Sequence, residues 1–417
     1  MASSEAVAVR SSAAGSPHIG FMDGMRGIAV LMVLVYHLKE ALASDLHLGS
    51  GPFNVGINTF AGAGFMGVEV FFFISGFVLF YPYARTLFEG KPLQTVAHFA
   101  DRRALKILPS YLFSLTFMTL FLLVTLPRPL DVVTSLRLLQ NFGLHLVFAH
   151  SISKATFFAI NGPLWSLAVE IQFYLIFPLV AWAFRRWALA TPLVLIALAQ
   201  AYRWHLEMHG GASNSFYVYQ LPGFLDLFAF GMASSYLTVM FRARFPQLAR
   251  WWPLFTIISL LAAAGLNAMF ASLVHSGGGP AAWHWQNTFR PIFGVLLGIF
   301  ATAGMLGAPL WQKIVANRVF VYLAFISYNL YLWNKFVILW VVAHWLPFFG
   351  NWPHSTLIAN LLPFACALLI GIAATYLIER PFLDHGWAVL SWRVPRKLEP
   401  NAPSTSPSPD RPAAERL

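Results

Sequence analysis

Long apolar stretches, separated by short polar or basic connections, dominate the chain from about residue 20 to residue 380. A membrane-spanning helix needs about 20 mostly apolar residues. Ten stretches meet this length, and they lie at about 22–42, 65–84, 104–126, 163–184, 188–206, 221–240, 252–271, 291–310, 318–343 and 356–379. The pattern predicts an all-α fold, a polytopic bundle of about ten membrane-spanning helices. The stretch at 188–206 is the weakest because it is short and ends in Arg203 and His205.

The two ends of the chain depart from this pattern. Residues 1–19 are rich in Ser and Ala and are expected to form a disordered cytosolic tail. Residues 386–417, which are rich in Pro and Ser, are expected to form a second cytosolic tail. The membrane domain is predicted to comprise residues 20–385. Its first apolar stretch lacks the flanking features of a cleavable signal peptide, so we interpret it as an uncleaved span.

The composition excludes several other classes of protein. Hydrophobic residues make up 58% of the chain, charged residues only 10%, and the mean hydropathy is +0.65. An ordinary soluble domain carries about 25% charged residues, so a soluble enzyme is excluded. Outer-membrane barrels show short alternating strands instead of long apolar runs. The single cysteine, Cys366, excludes an intrachain disulfide, and no Cys/His cluster indicates a metal site.

The net charge of +11 indicates orientation in a membrane rather than nucleic-acid binding. Basic residues accumulate in the cytosolic loops of membrane proteins. With ten spans and both termini in the cytosol, 20 of the 27 Lys and Arg residues fall on the cytosolic side. The sequence therefore predicts that both termini are cytosolic.

The first predicted span carries three ionisable residues, Asp23, Arg26 and His37. Arg26 and His37 are eleven residues apart, which in an α-helix places both on one face, about 16 Å apart along the axis. A phosphate bound at Arg26 would leave roughly the length of a pantetheine arm before His37. This suits a coenzyme A thioester lying along the helix. The open alternatives are a headgroup anchor for Arg26 and a packing role for His37.

Two carboxylates lie inside other predicted spans, where a charge is costly. Glu69 is followed by three phenylalanines, and we expect it to pair with a basic group on a neighbouring helix. Glu170 shares a helix face with Ser166 and Tyr174, so the three predict a polar stripe that points into a cavity. Structural pairing with an arginine is the alternative for Glu170. Close helix packing is favoured for Gly76.

A basic helix start contains Arg102, Arg103 and Lys106. It is typical either of the cytosolic charge bias or of a phosphate-binding rim for a nucleotide-bearing donor. At the end of the last predicted span, Glu379 and Arg380 are expected to pair structurally or to contribute to that donor site.

Six segments in this order resemble motifs of the acyltransferase 3 family of integral membrane O-acyltransferases. They are Met22–Ala29 with Tyr36 and His37, then Gly67–Phe77, Arg102–Tyr111, Trp165–Pro178, Ile326–Trp333 and Tyr376–Phe382. The resemblance extends from about Phe21 to Phe382. One departure is Asn334, where the family often has His, so base catalysis depends more heavily on His37. The other is the short tail after Phe382, from which we expect no fused extracytoplasmic hydrolase-like domain.

The resemblance implies transfer of an acyl group, with acetyl expected, from acyl-CoA to a hydroxyl of a carbohydrate or glycosylated acceptor. The expected general base is His37, oriented by Glu69 or Glu170, because imidazole ionises near neutral pH. The residues expected to hold the coenzyme A phosphates are Arg26, Arg102, Arg103 and Lys106. Further polar candidates for the site are Asp23, Ser75, Trp165, Ser166, Tyr174, Tyr328, Asn334, Glu379 and Arg380.

The expected partners are acyl-CoA, the carbohydrate-type acceptor and the lipid bilayer, and homo-oligomerisation stays open. No permanently bound cofactor, metal or nucleic acid is expected, and the expected location is the bacterial cytoplasmic membrane. A covalent acyl-histidine or acyl-serine step, using Ser75 or Ser166, is an open variant of the mechanism. A carrier or flippase of lipid-linked sugars is the rival function, although the chain lacks the internal repeat of many transporters. A non-catalytic scaffold explains the intramembrane charges poorly.

Overall fold

The computed structural model describes residues 19–43, 47–48, 55–56, 58–93, 95–125, 132–211, 215–277, 279–349 and 355–390, and these are helical almost throughout. The α-helices in chain order, α1 to α16, are Gly20–Leu42, Asn58–Gly62, Gly67–Glu89, Val96–Thr125, Val132–Leu146, Leu164–Arg186, Ala190–Met208, Ser215–Val218, Leu225–Arg244, Trp252–His275, Gly279–Leu306, Pro309–Val315, Arg318–His344, Leu346–Phe349, Ser355–Ala374 and Arg380–His385. A π-helical turn, Thr375–Glu379, joins the last two. Two short strands, β1 (His47–Leu48) and β2 (Val55–Gly56), pair antiparallel.

The predicted polytopic helical bundle is confirmed. In the described part of the chain, nine helical segments are long and apolar enough to cross a membrane, and they coincide with nine of the ten predicted spans. The tenth, predicted at 188–206, forms as α7 but is not among the nine, because its second half carries Gln200, Arg203, His205 and Glu207. The cytosolic placement of both termini depends on α7 crossing as well and stays a prediction.

Two helices lie at the centre of the bundle. In the most apolar 18 residues of α1, 72% of the residues are buried. In the same length of the segment Gly64–Glu89, which contains α3, 78% are buried. The corresponding share for the segment containing α10 is only 22%. The apolar surface of α10 is thus available to lipid, whereas α1 and α3 pack against protein on most sides. Polar residues on α1 and α3 therefore point mainly at other helices.

Glycines let α1 lie directly against α12 and α13. A Cβ atom on Gly27 would lie 2.0 Å from the carbonyl oxygen of Phe320, and one on Gly24 would lie 2.2 Å from that of Val315. No side chain fits at either distance, so only glycine allows this approach of the backbones. The contact lies in the first half of α1, at the end of α12 and the start of α13.

Glycines allow the same close approach of the backbones between α3 and α9. A Cβ atom on Gly76 would lie 2.2 Å from the carbonyl oxygen of Phe228, and one on Gly231 would lie 2.0 Å from that of Phe73. The prediction that Gly76 serves close helix packing is confirmed. Aromatic rings fill the space beside this contact, with Phe173 and Phe228 stacked at a centroid distance of 3.8 Å.

We expect Gly27→Val to destabilise the folded protein, because its side chain overlaps the backbone of α13. Overpacking a fitted core costs about 1–3 kcal/mol, and here the obstacle is backbone rather than a movable side chain. The matched control is Gly143→Val on α5, since nothing lies within 4 Å of a Cβ atom there. Thermal unfolding in detergent compares the two variants. Equal melting temperatures would show that the α1–α13 approach is unimportant for stability.

Candidate functional site

A cavity of about 760 Å³ opens between the C-terminal half of α1, the segment before α6, the start of α11 and the second half of α13. Its polar lining consists of His37, Glu40, Glu69, Gln286 and Lys335, and its aromatic lining includes Tyr36, Phe65, Phe158, Trp165, Tyr219, Phe224, Trp283 and Tyr331. Aromatic walls with a few polar groups are typical of sites that bind small molecules. We call this end of the bundle the cavity end.

His37 lines the cavity, and its Nδ1 atom is hydrogen-bonded to Oδ1 of Asn334 across the α1–α13 contact. This contact differs from the expectation that a carboxylate, that of Glu69 or Glu170, orients the ring. Glu69 and Glu170 are both bound to other groups. The group bonded to His37 Nδ1 is therefore the amide of Asn334.

A second link between the same two helices lies one turn beyond His37. Lys335 Nζ donates to both carboxylate oxygens of Glu40, at 3.0 and 3.2 Å, and both side chains are partly exposed in the cavity lining. Neither residue is among the candidates predicted from the sequence. The available signals were the i, i+3 spacing from His37 to Glu40 and the position of Lys335 directly after Asn334.

Glu69 has the basic partner that the sequence predicted, and that partner is Arg290 on α11. The guanidinium donates to Glu69 Oε1 at 2.7 Å, and both side chains are buried. Arg290 also donates to Gln286 Oε1 at 3.0 Å and to the Gly223 carbonyl at 3.1 Å. Glu69 Oε2 is buried and has no hydrogen-bond partner within the described residues, so the carboxylate is held by Arg290 through one oxygen only.

A second buried ion pair completes this network. Arg203 donates to Asp226 Oδ2 at 2.7 Å and to the Gly223 carbonyl, also at 2.7 Å. Two guanidinium groups thus meet at one carbonyl oxygen in the turn Leu221–Phe224. Because Phe224 lines the cavity, the network holds one wall of the cavity in place.

Glu170 lies at the centre of a cluster further along the bundle. Ser75 Oγ donates to Glu170 Oε1 at 2.6 Å, and the Tyr174 hydroxyl donates to the same oxygen. The Arg103 guanidinium lies 5.5 Å from the Tyr174 ring centroid, and Arg26 lies within electrostatic range of the Tyr174 hydroxyl. The structure therefore brings together five residues that the sequence singled out on four helices.

Ser166 lies on α6 as predicted, but its hydrogen bonds connect it to the cavity lining rather than to Glu170. Its hydroxyl bonds the Tyr331 hydroxyl at 2.6 Å and donates to the Pro163 carbonyl at 3.1 Å. Trp165 lines the cavity and stacks on Phe224, with ring centroids 5.7 Å apart. The start of α6 thus belongs to the cavity end, whereas Tyr174 lies about 12 Å further along the helix axis.

The remaining candidates lie at the other end, near the start of α4 and the π-helical turn. Lys106 forms an ion pair with the buried Glu379, which also accepts from Asn329 Nδ2 at 2.7 Å. The charge of Lys106 is therefore already balanced. The Tyr328 hydroxyl donates to the Ile107 carbonyl at 2.8 Å, and Arg380 pairs with Asp384 on the surface at 3.3 Å.

Two further candidates, Asp23 and Arg102, are half-buried near the starts of α1 and α4. We call this end, with Arg26, Arg102 and Arg103, the basic end. Because α1 is a continuous α-helix, the predicted separation of about 16 Å along its axis from Arg26 to His37 applies.

Two stacked histidines lie in the connection between α4 and α6. His145 and His150 stack with ring centroids 3.9 Å apart, and burial lowers the pKa of His145 to about 4 and that of His150 to about 3. Both rings are therefore neutral near pH 7. The His150 ring donates from Nε2 to the Leu164 carbonyl at 3.2 Å, and the Tyr111 hydroxyl donates to the His145 carbonyl at 2.7 Å. These bonds fix the segment that carries Trp165.

Within the described residues, no group of three or more His, Cys, Asp or Glu side chains is placed to hold a metal ion.

Comparison with known families decides the affiliation of the chain. The sequence model of the acyltransferase 3 family, described as an acyltransferase domain, matches residues 19–380. The chain belongs to the acyltransferase 3 family. No solved structure matches it.

Relatives in this family include O-acetyltransferase OatA of Staphylococcus aureus (strain NCTC 8325 / PS 47), which is 24% identical over 397 residues. A second relative, from Staphylococcus aureus (strain COL), is also named as an O-acetyltransferase. It is 24% identical over 400 residues. Each alignment covers 90% of this chain and 59% of the relative. The chain thus spans about three fifths of the length of these relatives.

We expect Arg290→Met to destabilise this acyltransferase-family protein strongly, because it leaves the Glu69 carboxylate buried without a partner. Removing one member of a buried pair costs about 3–5 kcal/mol, whereas replacing both by apolar groups is often neutral. The double variant Glu69→Leu with Arg290→Met should therefore recover most of the loss. Thermal unfolding in detergent measures both, and a double variant no more stable than the single one would contradict the pairing.

Proposed function

We propose that the protein is a membrane O-acyltransferase that transfers an acyl group, acetyl in the first instance, from acyl-CoA to a hydroxyl of a carbohydrate-type acceptor. The observation that carries the proposal is the position of His37. It lies on the wall of a cavity, and about three helical turns separate it from Arg26 at the basic end. The O-acetyltransferase names of the relatives support acetyl as the group transferred.

The basic end suits the nucleotide part of acyl-CoA. Arg26, Arg102 and Arg103 supply guanidinium groups, which bind phosphate through paired charge-assisted hydrogen bonds. Lys106 contributes less free charge because Glu379 balances it. From there the pantetheine arm would extend along α1 towards His37. We place this end in the cytosol, where acyl-CoA is found, and the protein in the bacterial cytoplasmic membrane.

The cavity suits an acceptor with both apolar faces and hydroxyl groups. Trp165 and Tyr219 offer aromatic surfaces, and Gln286 and Glu69 offer polar atoms. Sugar rings present this combination, with C–H groups on a ring face and hydroxyls at the edge. The cavity opens at the end away from Arg26, so acceptor and donor would approach His37 from opposite ends of the bundle.

The chemistry follows from these positions. His37 Nε2 takes the proton of the acceptor hydroxyl while that oxygen attacks the thioester carbonyl carbon. The C–O bond forms, the C–S bond breaks, and the coenzyme A sulfur leaves with the electron pair. The imidazolium then returns its proton to the sulfur, so free coenzyme A and the ester are the products.

Direct transfer is favoured over an acyl-serine intermediate. The Ser75 hydroxyl donates to Glu170, and the Ser166 hydroxyl is bonded to Pro163 and Tyr331. Among the described residues neither serine is hydrogen-bonded to a histidine, the base that most often activates a serine nucleophile.

We expect Arg26→Ala, and the double variant Arg102→Ala with Arg103→Ala, to weaken acetyl-CoA binding about tenfold or more. A hydrogen bond to a charged group contributes about 1.5–3 kcal/mol, and 1.4 kcal/mol corresponds to a factor of ten in Kd. The control is Arg250→Ala, an exposed arginine outside this group. Equilibrium binding to the detergent-solubilised protein measures Kd, and unchanged affinity in all variants would rule out the basic end as the donor site.

We expect His37→Gln to lose acyl transfer while keeping acetyl-CoA binding, because glutamine hydrogen-bonds but cannot take up the proton. Loss of a general base lowers the rate about 10²–10⁴-fold. The measurement is mass spectrometry of surface glycans and metabolites from cells with the wild type, the variant or no gene. The control is His275→Gln on the exposed end of α10. A mass gain of one acyl unit that persists in His37→Gln would remove His37 as the base.

A further inference from the structure

The amide of Asn334 has only one orientation that satisfies its neighbours. Asn334 is fully buried, and its Nδ2 atom donates to the Leu330 carbonyl at 2.9 Å and to the Tyr331 carbonyl at 2.8 Å. Exchanging the amide oxygen and nitrogen would place Oδ1 against two carbonyl oxygens, with no hydrogen between them. Because only the NH₂ group can donate, Nδ2 stays with the carbonyls and Oδ1 faces His37.

This orientation determines the proton on the His37 ring. Oδ1 is an acceptor only, so the nitrogen that it bonds, His37 Nδ1, must carry a hydrogen. In a neutral imidazole the lone pair then lies on Nε2. Among the residues that the structure describes, none is hydrogen-bonded to Nε2, and the ring lines the cavity. The basic nitrogen is thus the one available to a substrate.

We propose that Asn334 is a positioning residue that holds His37 in the Nδ1–H tautomer, so that Nε2 is the atom that accepts the hydroxyl proton. The inference deepens the proposed function and rests on it. Asn334 also suits the next step, because the imidazolium keeps its Nδ1–H bond to the same oxygen. The departure from the family's frequent histidine is then a change of orienting group rather than the loss of a second base.

The surroundings of the pair keep this geometry fixed. Gly27 sets the separation of α1 and α13 by backbone contact. The Glu40–Lys335 ion pair joins the two helices one turn further on. His37 and Asn334 therefore meet between two other contacts of the same helices, and rotation of either side chain would leave a buried amide unsatisfied, which costs free energy.

The test combines a spectroscopic and a kinetic measurement on the full chain in detergent. Nitrogen-15 NMR of histidine-labelled protein reports the protonated ring nitrogen, and the His37 signals are assigned by their loss in His37→Gln. We expect the wild type to carry the hydrogen on Nδ1. In Asn334→Leu, which keeps the size but removes the acceptor, we expect the Nε2–H form to be populated.

The kinetic arm follows acetyl transfer from radiolabelled acetyl-CoA in membrane vesicles. We expect Asn334→Leu to slow transfer about 10- to 1000-fold with unchanged Kd for acetyl-CoA, because the wrong tautomer cannot act as base. Asn334→Asp keeps the oxygen acceptor for His37 Nδ1 but loses the two donations from Nδ2, so it should retain the Nδ1–H form and a measurable part of the transfer rate while melting at a lower temperature.

Two results would overturn the inference: a wild-type His37 protonated on Nε2, or wild-type transfer rates in Asn334→Leu. The wild-type spectrum decides the matter even when Asn334→Leu does not fold. Failure of the proposed function is distinguishable, since it would appear as full transfer by His37→Gln and would leave the tautomer unchanged.

Discussion

The direct backbone contact between α1 and α13 is the constraint on which the candidate site depends. Gly24 and Gly27 remove the side chains that would separate α1 from the helices it crosses. Further along α1 and α13, the His37 ring reaches the Asn334 amide. Later residues of the same two helices, including His37 and Lys335, line one side of the cavity. In lipid, where no hydrophobic force drives helices together, packing of small residues supplies stability. Here the same packing also supports the geometry proposed for catalysis.

Buried charges impose the second constraint, because an unpaired charge in the interior costs several kcal/mol. Glu69 is neutralised by Arg290 and Asp226 by Arg203, and both arginines converge on the Gly223 carbonyl. These residues look functional in the sequence because they are charged and intramembrane. Much of their role in the structure is to shape the cavity wall. This leaves His37 as a cavity-lining imidazole whose hydrogen-bond partner is a neutral amide.

The two ends of α1 have different roles in the proposed function. In the proposed function, the arginines of the basic end bind the nucleotide part of the donor, and the cavity, with its aromatic and polar lining, binds the acceptor. The continuous helix α1 joins the two ends, so helix geometry would set the distance between the donor phosphates and the reacting carbonyl. The neutral His145–His150 stack fixes the connection on the cavity side.

The helical architecture could be predicted from the sequence alone, because the length of an apolar run and the period of a helix are local properties. The sequence placed Arg26 and His37 on one face and required a basic partner for Glu69. It could not identify Arg290, which lies 221 residues from Glu69. Nor could it show that Asn334, 297 residues from His37, orients that ring in place of a carboxylate. Such pairings depend on which helices pack together and at what height, and only the tertiary structure decides that.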